Sequence, residues 1–178
     1  TDDYIALSGT VNIPALATTV TIDVSVVDDN ILEGDETVVV TLNSTSNDVS
    51  IGTLNEATIT IDDDEDNDAQ ITIAGTTNGI EATTPSNGLF TVSLPNGILA
   101  DQAIEVLYTV SGGTATEGDD YSALSGTVTI LAGDNSATIT IFVLDDNLLE
   151  GNETVELTLS SANTTLATVS AIPATITI

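Results

Sequence analysis

The 178-residue chain carries 28 Asp plus Glu and no Lys, Arg or His, a formal net charge of −28 at pH 7. Nucleic-acid binding, phosphate cradling and attraction to anionic membranes lose the cations they require. Cys, Met and Trp are also zero, which excludes disulfides, Cys/His zinc sites and His-, Cys- or Lys-based catalysis, and a chain without oxidisable sulfur or trypsin sites suits long residence outside a cell.

In chain order, Thr alternates with Val and Ile at period two, the signature of half-buried strands. Strands are expected over Val20–Val26, Gln70–Ile73, Leu89–Leu94 and Ala137–Val143. Turns are expected at Pro95-Asn96-Gly97, Ser111-Gly112-Gly113 and Ala132-Gly133-Asp134-Asn135. No window offers a 3.6-residue stripe, and no apolar run approaches the ~18 residues of a membrane helix, so no direct membrane insertion is expected of this segment. About seven short strands per repeat predict an all-β fold of tandem immunoglobulin-like Greek-key β-sandwiches.

The repeat is explicit. Asp2-Asp3-Tyr4-Ile5-Ala6-Leu7-Ser8-Gly9-Thr10-Val11 recurs as Asp119-Asp120-Tyr121-Ser122-Ala123-Leu124-Ser125-Gly126-Thr127-Val128, an offset of 117. Residues 1–61 align with 118–178 without a gap, with 31 identities in 61 pairs. The chain reads as a window on a longer array. Residues 1–61 are the C-terminal half of one repeat, 62–68 an acidic linker, and 69–178 a nearly complete second repeat.

Three acidic clusters recur: the pair before Tyr (2–3; 119–120), an Asp-Asp-Asn-x-Leu-Glu-Gly-x-Glu loop (28–36; 145–153) and the run 62–66 after a strand. Solvated loops are one reading. The other is a hard divalent cation, because carboxylates crowded together with no base to pair them repel one another. Ca²⁺ is favoured over Mg²⁺, since it accepts the irregular oxygen cages that loops provide. The run is not an EF-hand loop, because it lacks the central Gly and the final Glu.

The ordered combination of Gly-Thr-Ala-Thr-Glu-Gly-Asp-Asp-Tyr (113–121), Ser-Gly-Thr-Val-Thr-Ile (125–130), Asp-Asp-Asn-Leu-Leu-Glu-Gly-Asn-Glu-Thr (145–154) and Ala-Thr-Ile-Thr-Ile-Asp-Asp-Asp-Glu-Asp (57–66) resembles the Calx-beta domain over essentially the whole chain. The resemblance implies a β-sandwich that binds Ca²⁺ at one tip. In the second repeat it implies Glu81, Asp120, Asp145, Asp146, the Leu148 carbonyl, Glu150 and Glu153 as ligands. In the first it implies Asp3, Asp28, Asp29, the Ile31 carbonyl, Glu33, Glu36, Asp62, Asp63 and Asp64. Neither set is whole in this window: the first set's early Glu would precede Thr1, and the second set's Asp run would follow Ile178.

The expected function is structural, a calcium-rigidified stalk or filament segment of a large secreted or surface-attached bacterial adhesin. Its partners would be neighbouring repeats of the same chain and like chains in a fibre. A ligand-binding module for protein or glycan and a calcium-sensing module are the alternatives. No enzymatic role is expected: Glu150 and Glu153 could be imagined as a glycosidase pair, but calcium accounts for them and no cleft is implied.

Overall fold

The alternation resolves into strands in the computed structural model, which describes residues 3–45, 49–62, 69–95, 97–146 and 148–178. Among these residues the strands are β1 (Ile31–Leu32), β2 (Glu36–Thr41), β3 (Glu56–Ile61), β4 (Ala69–Thr77), β5 (Gly88–Ser93), β6 (Leu99–Ala100), β7 (Ile104–Gly113), β8 (Thr127–Ile130), β9 (Ser136–Ile141), β10 (Thr154–Ala162), β11 (Ala167–Val169) and β12 (Ala174–Thr177). No helix among them is long and apolar enough to cross a membrane. The chain divides into two units. One comprises Thr1–Asp29 and Asp35–Asp63, the other Asn30–Gly34 and Asp64–Ile178.

The second unit is a sandwich of two four-stranded sheets, ordered β12-β10-β7-β8 and β11-β4-β5-β9. Strict alternation along β5 and β10 buries every second residue, so Phe90 and Val92 on one sheet and Val155, Leu157 and Leu159 on the other share one core. Ile71, Ile130, Ile141 and Ile176 complete its fully buried centre. β11, a short strand parallel to β4, brings the two sheets to four strands each. Close packing of β4 against β12 demands glycine at one point: a Cβ on Gly75 would lie 2.5 Å from the Thr175 carbonyl oxygen.

Ser111-Gly112-Gly113, expected as a turn, instead ends β7. The cause is contact with β10: Gly113 has φ +114°, and a Cβ there would collide with the Thr154 carbonyl. The 132–135 turn forms as expected, with Gly133 at φ 82° and Asp134 N–H donating to the Leu131 carbonyl at 3.0 Å.

β6 is bonded on both sides within this unit. On one side Ala100 N–H donates to Asp134 at 3.0 Å, and Gly133 N–H donates to Ala100 at 2.7 Å. On the other side β1 runs parallel, pairing Ile31 with Leu99 and Leu32 with Ala100, with Leu99 N–H donating to the Asn30 carbonyl at 2.8 Å. Leu32 is 3% exposed and belongs to the core cluster of the unit. Burying such a side chain contributes roughly 1.5–3 kcal/mol.

The first unit repeats local details of the second. β2 and β3 pair antiparallel with Thr37 opposite Thr60, the register that Thr154 and Thr177 adopt between β10 and β12. Tyr4 bridges Val26 as Tyr121 bridges Val143. Ile5 N–H donates to Ser25 and Val27 N–H to Asp3, both at 2.8 Å, matching Ser122 to Phe142 and Leu144 to Asp120 at 2.9 Å. The strand expected over Val20–Val26 is not formed; only Val26 makes a bridge. Its counterpart β9 forms a ladder with β5, and among the described residues Val20–Val26 has no such partner strand.

Candidate metal centre

Three loops of the second unit converge. Glu81 follows Ile80, which is pinned by reciprocal backbone bonds to Ser86 at 2.9 and 3.0 Å. Asp120 sits in the turn before Tyr121, where its own N–H donates to the Thr116 carbonyl and its carbonyl accepts from Leu144. Glu153 immediately precedes β10 and exchanges backbone bonds of 2.9 and 3.0 Å with Ile178, which follows β12, so the β10–β12 ladder extends to hold it in place. Asp146 and Glu150 flank the tip of the 145–153 loop.

Carboxylate oxygens of Glu81, Asp146 and Glu150 lie within 4.8 Å of one another. Glu81 Oε1 accepts from Asp146 N–H at 3.3 Å, and Asp146 Oδ1 accepts from Leu148 N–H at 2.6 Å, which curls the loop back on itself. Asp120 is 7% exposed, an unusually deep place for a carboxylate; Thr116 N–H donates to its Oδ2 at 2.6 Å. Glu153 hydrogen-bonds Asp120 through its side chain.

The electrostatics join these pairs into one cluster. Glu153 is raised above its ordinary 4.5 first by the hydrogen bond to Asp120, then by loss of hydration and by the charges of Asp120, Glu150 and Glu81. Glu150 is raised too, by loss of hydration at its carboxyl and then by Asp146, Asp120, Glu81 and Asp119. Asp119 belongs to this field although the resemblance implies only its neighbour; its adjacency to Asp120 was the available signal. Burial, then Glu117 and Asp120, push the Tyr121 phenol up, so Tyr121 stays protonated and acts as a packing residue. With no Lys or Arg in the chain, the cluster's charge can be relieved from within only by protons.

Asp145 is exposed and stands outside the 4.8 Å group. The Leu148 side chain is 71% exposed, and its N–H is committed to Asp146.

In the first unit, Asp3 and Glu36 bring carboxylate oxygens within 4.8 Å. Asp3 Oδ1 is buried without a hydrogen-bond partner among the described residues. The N–H that satisfies its counterpart belongs to Thr116, whose equivalent would precede Thr1. Asp28, Asp29 and Asp62 are exposed. Ile31 and Glu33 lie half-buried on the segment 30–34. Asp63 and Asp64 lie outside the described residues, as does most of the 62–68 linker.

A β-sandwich with a lysine-free, carboxylate-lined tip defines a class of module suited to hard cations. Sequence comparison then gives the family: residues 1–65 and 66–178 match the Calx-beta domain, and the chain belongs to it. The Calx-beta domain is a non-enzymatic, calcium-binding β-sandwich module. The chain is 31% identical over 166 residues to the adhesion G-protein coupled receptor V1 of Danio rerio, covering 89% of this chain but only 3% of that receptor. Among solved structures it is similar to the apo-form Calx CBD1 domain (20% identity, TM-score 0.46, 61% of this chain and 95% of that one). It is also similar to the calcium binding domain CBD12 of CALX1.1 (19% identity, TM-score 0.45, 87% of this chain and 72% of that one).

Proposed function

We propose that the second repeat binds Ca²⁺ at its acidic tip and that the chain is a stalk segment of a large extracellular adhesive protein. The observation that carries the reading is the approach of Glu81, Asp146 and Glu150 to within 4.8 Å beside the Asp120–Glu153 pair, in a chain with no positive side chain. The donors fit Ca²⁺: all are oxygens, they come from irregular loops, and several are carboxylates. Asp120 and Glu153 would form the deep side of the cage, Glu81, Asp146 and Glu150 its rim, with Asp145 and the Leu148 carbonyl as further ligands. The Asp3 and Glu36 carboxylates would serve the first repeat. A bound divalent ion removes the mutual repulsion of these groups, which favours a stiff, extended array over a self-repelling string. Tandem units that align without a gap support length rather than chemistry as the product of the repeat. Neighbouring repeats, like chains in a fibre, a cell-surface location and a bacterial source complete this reading; the adhesion-receptor relative supports the surface setting.

The test is calorimetric titration of the chain with Ca²⁺, with melting curves in EDTA and in millimolar calcium. Binding at a hundredfold excess over Kd stabilises by about 2.7 kcal/mol, equivalent to roughly 5–10 °C for a domain of this size. Glu150→Gln and Glu81→Gln should each weaken binding at least about tenfold, one lost charged ligand being worth 1.4 kcal/mol or more. No binding heat and no change in melting would sink the calcium reading. Unchanged scattering of a longer array on adding calcium would sink the stiffening.

A further inference from the structure

The loop that carries the acidic residues also carries two apolar ones, and the two copies treat them differently. Leu32 is 3% exposed as part of β1, whereas its repeat equivalent Leu149 is 102% exposed and the adjacent Leu148 71%. Nothing in calcium coordination calls for a leucine side chain at either place, and two consecutive exposed leucines are costly unless something covers them. What covers the first copy is visible: Ile31–Leu32 add a parallel strand to β6, whose other side is already taken by the 133–134 turn. Without that strand the Leu99 N–H loses its Asn30 acceptor and β6 becomes an open edge.

We infer that Leu148–Leu149 is a docking strand that pairs, parallel and in the register Leu148 to Leu99 and Leu149 to Ala100, with the β6 edge of a following copy of this repeat. Each repeat then contributes the last edge strand and one core leucine of the next, and an isolated repeat leaves both needs unmet. The partner is fixed by internal equivalence: Asn30-Ile31-Leu32-Glu33-Gly34 and Asn147-Leu148-Leu149-Glu150-Gly151 are equivalent segments that differ only at Ile31 and Leu148, and the first is seated on β6. Main-chain bonding to an exposed edge with alternate side chains reading a pocket is a general mode of strand addition. The inference goes beyond cation binding and holds in its absence, so its test is run in EDTA.

The offset makes the experiment simple, because appending a copy of residues 62–178 after Ile178 continues the repeat in register. The protein has no cysteine, so an engineered pair reports alone. In the 178-residue chain, L32C with A100C is the control, since register partners on neighbouring strands lie within disulfide reach. In the extended chain, L149C with A100C of the appended copy should oxidise to the same extent. Amide exchange at 148–150 should slow at least tenfold relative to the 178-residue chain. Leu149→Asp should lower the melting temperature of the appended repeat as Leu32→Asp lowers that of the second unit, and leave the 178-residue chain unchanged. Failure of the L149C pair to close where the control closes, or unprotected amides at 148–150, overturns the inference. So does protection that appears in the 178-residue chain only as its concentration rises, since that would make a second chain the occupant.

Discussion

Ile13 and Ile130 hold the same position in two copies of one sequence, yet Ile13 is 57% exposed and Ile130 completely buried. Ile59 and Ile176 differ in the same way, at 43% and 2%. Around Ile59 and Ile176 the five residues are identical, whereas Ile13 lies between Asn12 and Pro14 and Ile130 between Thr129 and Leu131. Ile130 and Ile176 lie in a sheet that shares its core with β4 and β5, and among the described residues of the first unit no such facing sheet covers Ile13 and Ile59. An apolar alternation therefore encodes a demand for a facing sheet, and burial follows only where that sheet is supplied.

Identical substitutions in the two copies turn this contrast into numbers. Ile130→Ala should cost about 2–5 kcal/mol, the usual penalty for emptying a core site. Ile13→Ala should stay within about 0.5 kcal/mol, as for other exposed positions. Equal losses in denaturant melts of the two variants would mean that Ile13 is covered in solution and would erase the contrast.

A smaller effect concerns protons. The native state holds a proton on Glu153 more tightly than the unfolded chain does, because of the hydrogen bond to Asp120, lost hydration and the surrounding negative charges. Below the ordinary value of 4.5 both states are protonated and the contribution is fully present; as pH rises through the raised native value it is lost. In EDTA this contribution should therefore lower the melting temperature of the second unit at neutral pH relative to pH 4. Calcium should reverse the trend, since it takes the place of the proton and loses affinity as pH falls. Glu153→Gln should flatten the EDTA profile. A metal-free melting temperature that climbs steadily from pH 4 to 7 would contradict the raised Glu153.

Much of the second repeat was legible in sequence because each of its strands finds its partner within reach: Gln70–Ile73, Leu89–Leu94 and Ala137–Val143 fall largely on β4, β5 and β9. The strand expected at Val20–Val26 failed for want of that partner, not for want of pattern. Ser111-Gly112-Gly113 misled because glycine marks close backbone approach as readily as it marks a turn. The convergence of Glu81 with the 145–153 loop spans more than sixty residues and is carried by the Asp146 to Glu81 hydrogen bond, which no local signal announces. β1 and β11 are short strands whose register depends on a distant edge, so periodicity says nothing of them.

The smallest test exchanges one residue between the copies. Leu16 has φ 69° and is the one described non-glycine residue in the left-handed region; Gly133, its repeat equivalent, has φ 82°. Both occupy the third position of a four-residue turn closed by a 3.0 Å bond, Ala17 N–H to Pro14 and Asp134 N–H to Leu131. That geometry requires positive φ, where a Cβ costs roughly 1–2 kcal/mol. Leu16 is fully exposed and so loses no packing on truncation. Leu16→Gly should thus stabilise the first unit by less than about 1 kcal/mol, part of the relief being offset by the entropy glycine gains on unfolding. Gly133→Leu should destabilise the second unit by the unrelieved strain. Amide exchange in the two turns resolves the pair; faster exchange around Ala17 in Leu16→Gly would show that the leucine makes a stabilising contact, and that the copies differ there by more than a missing sheet.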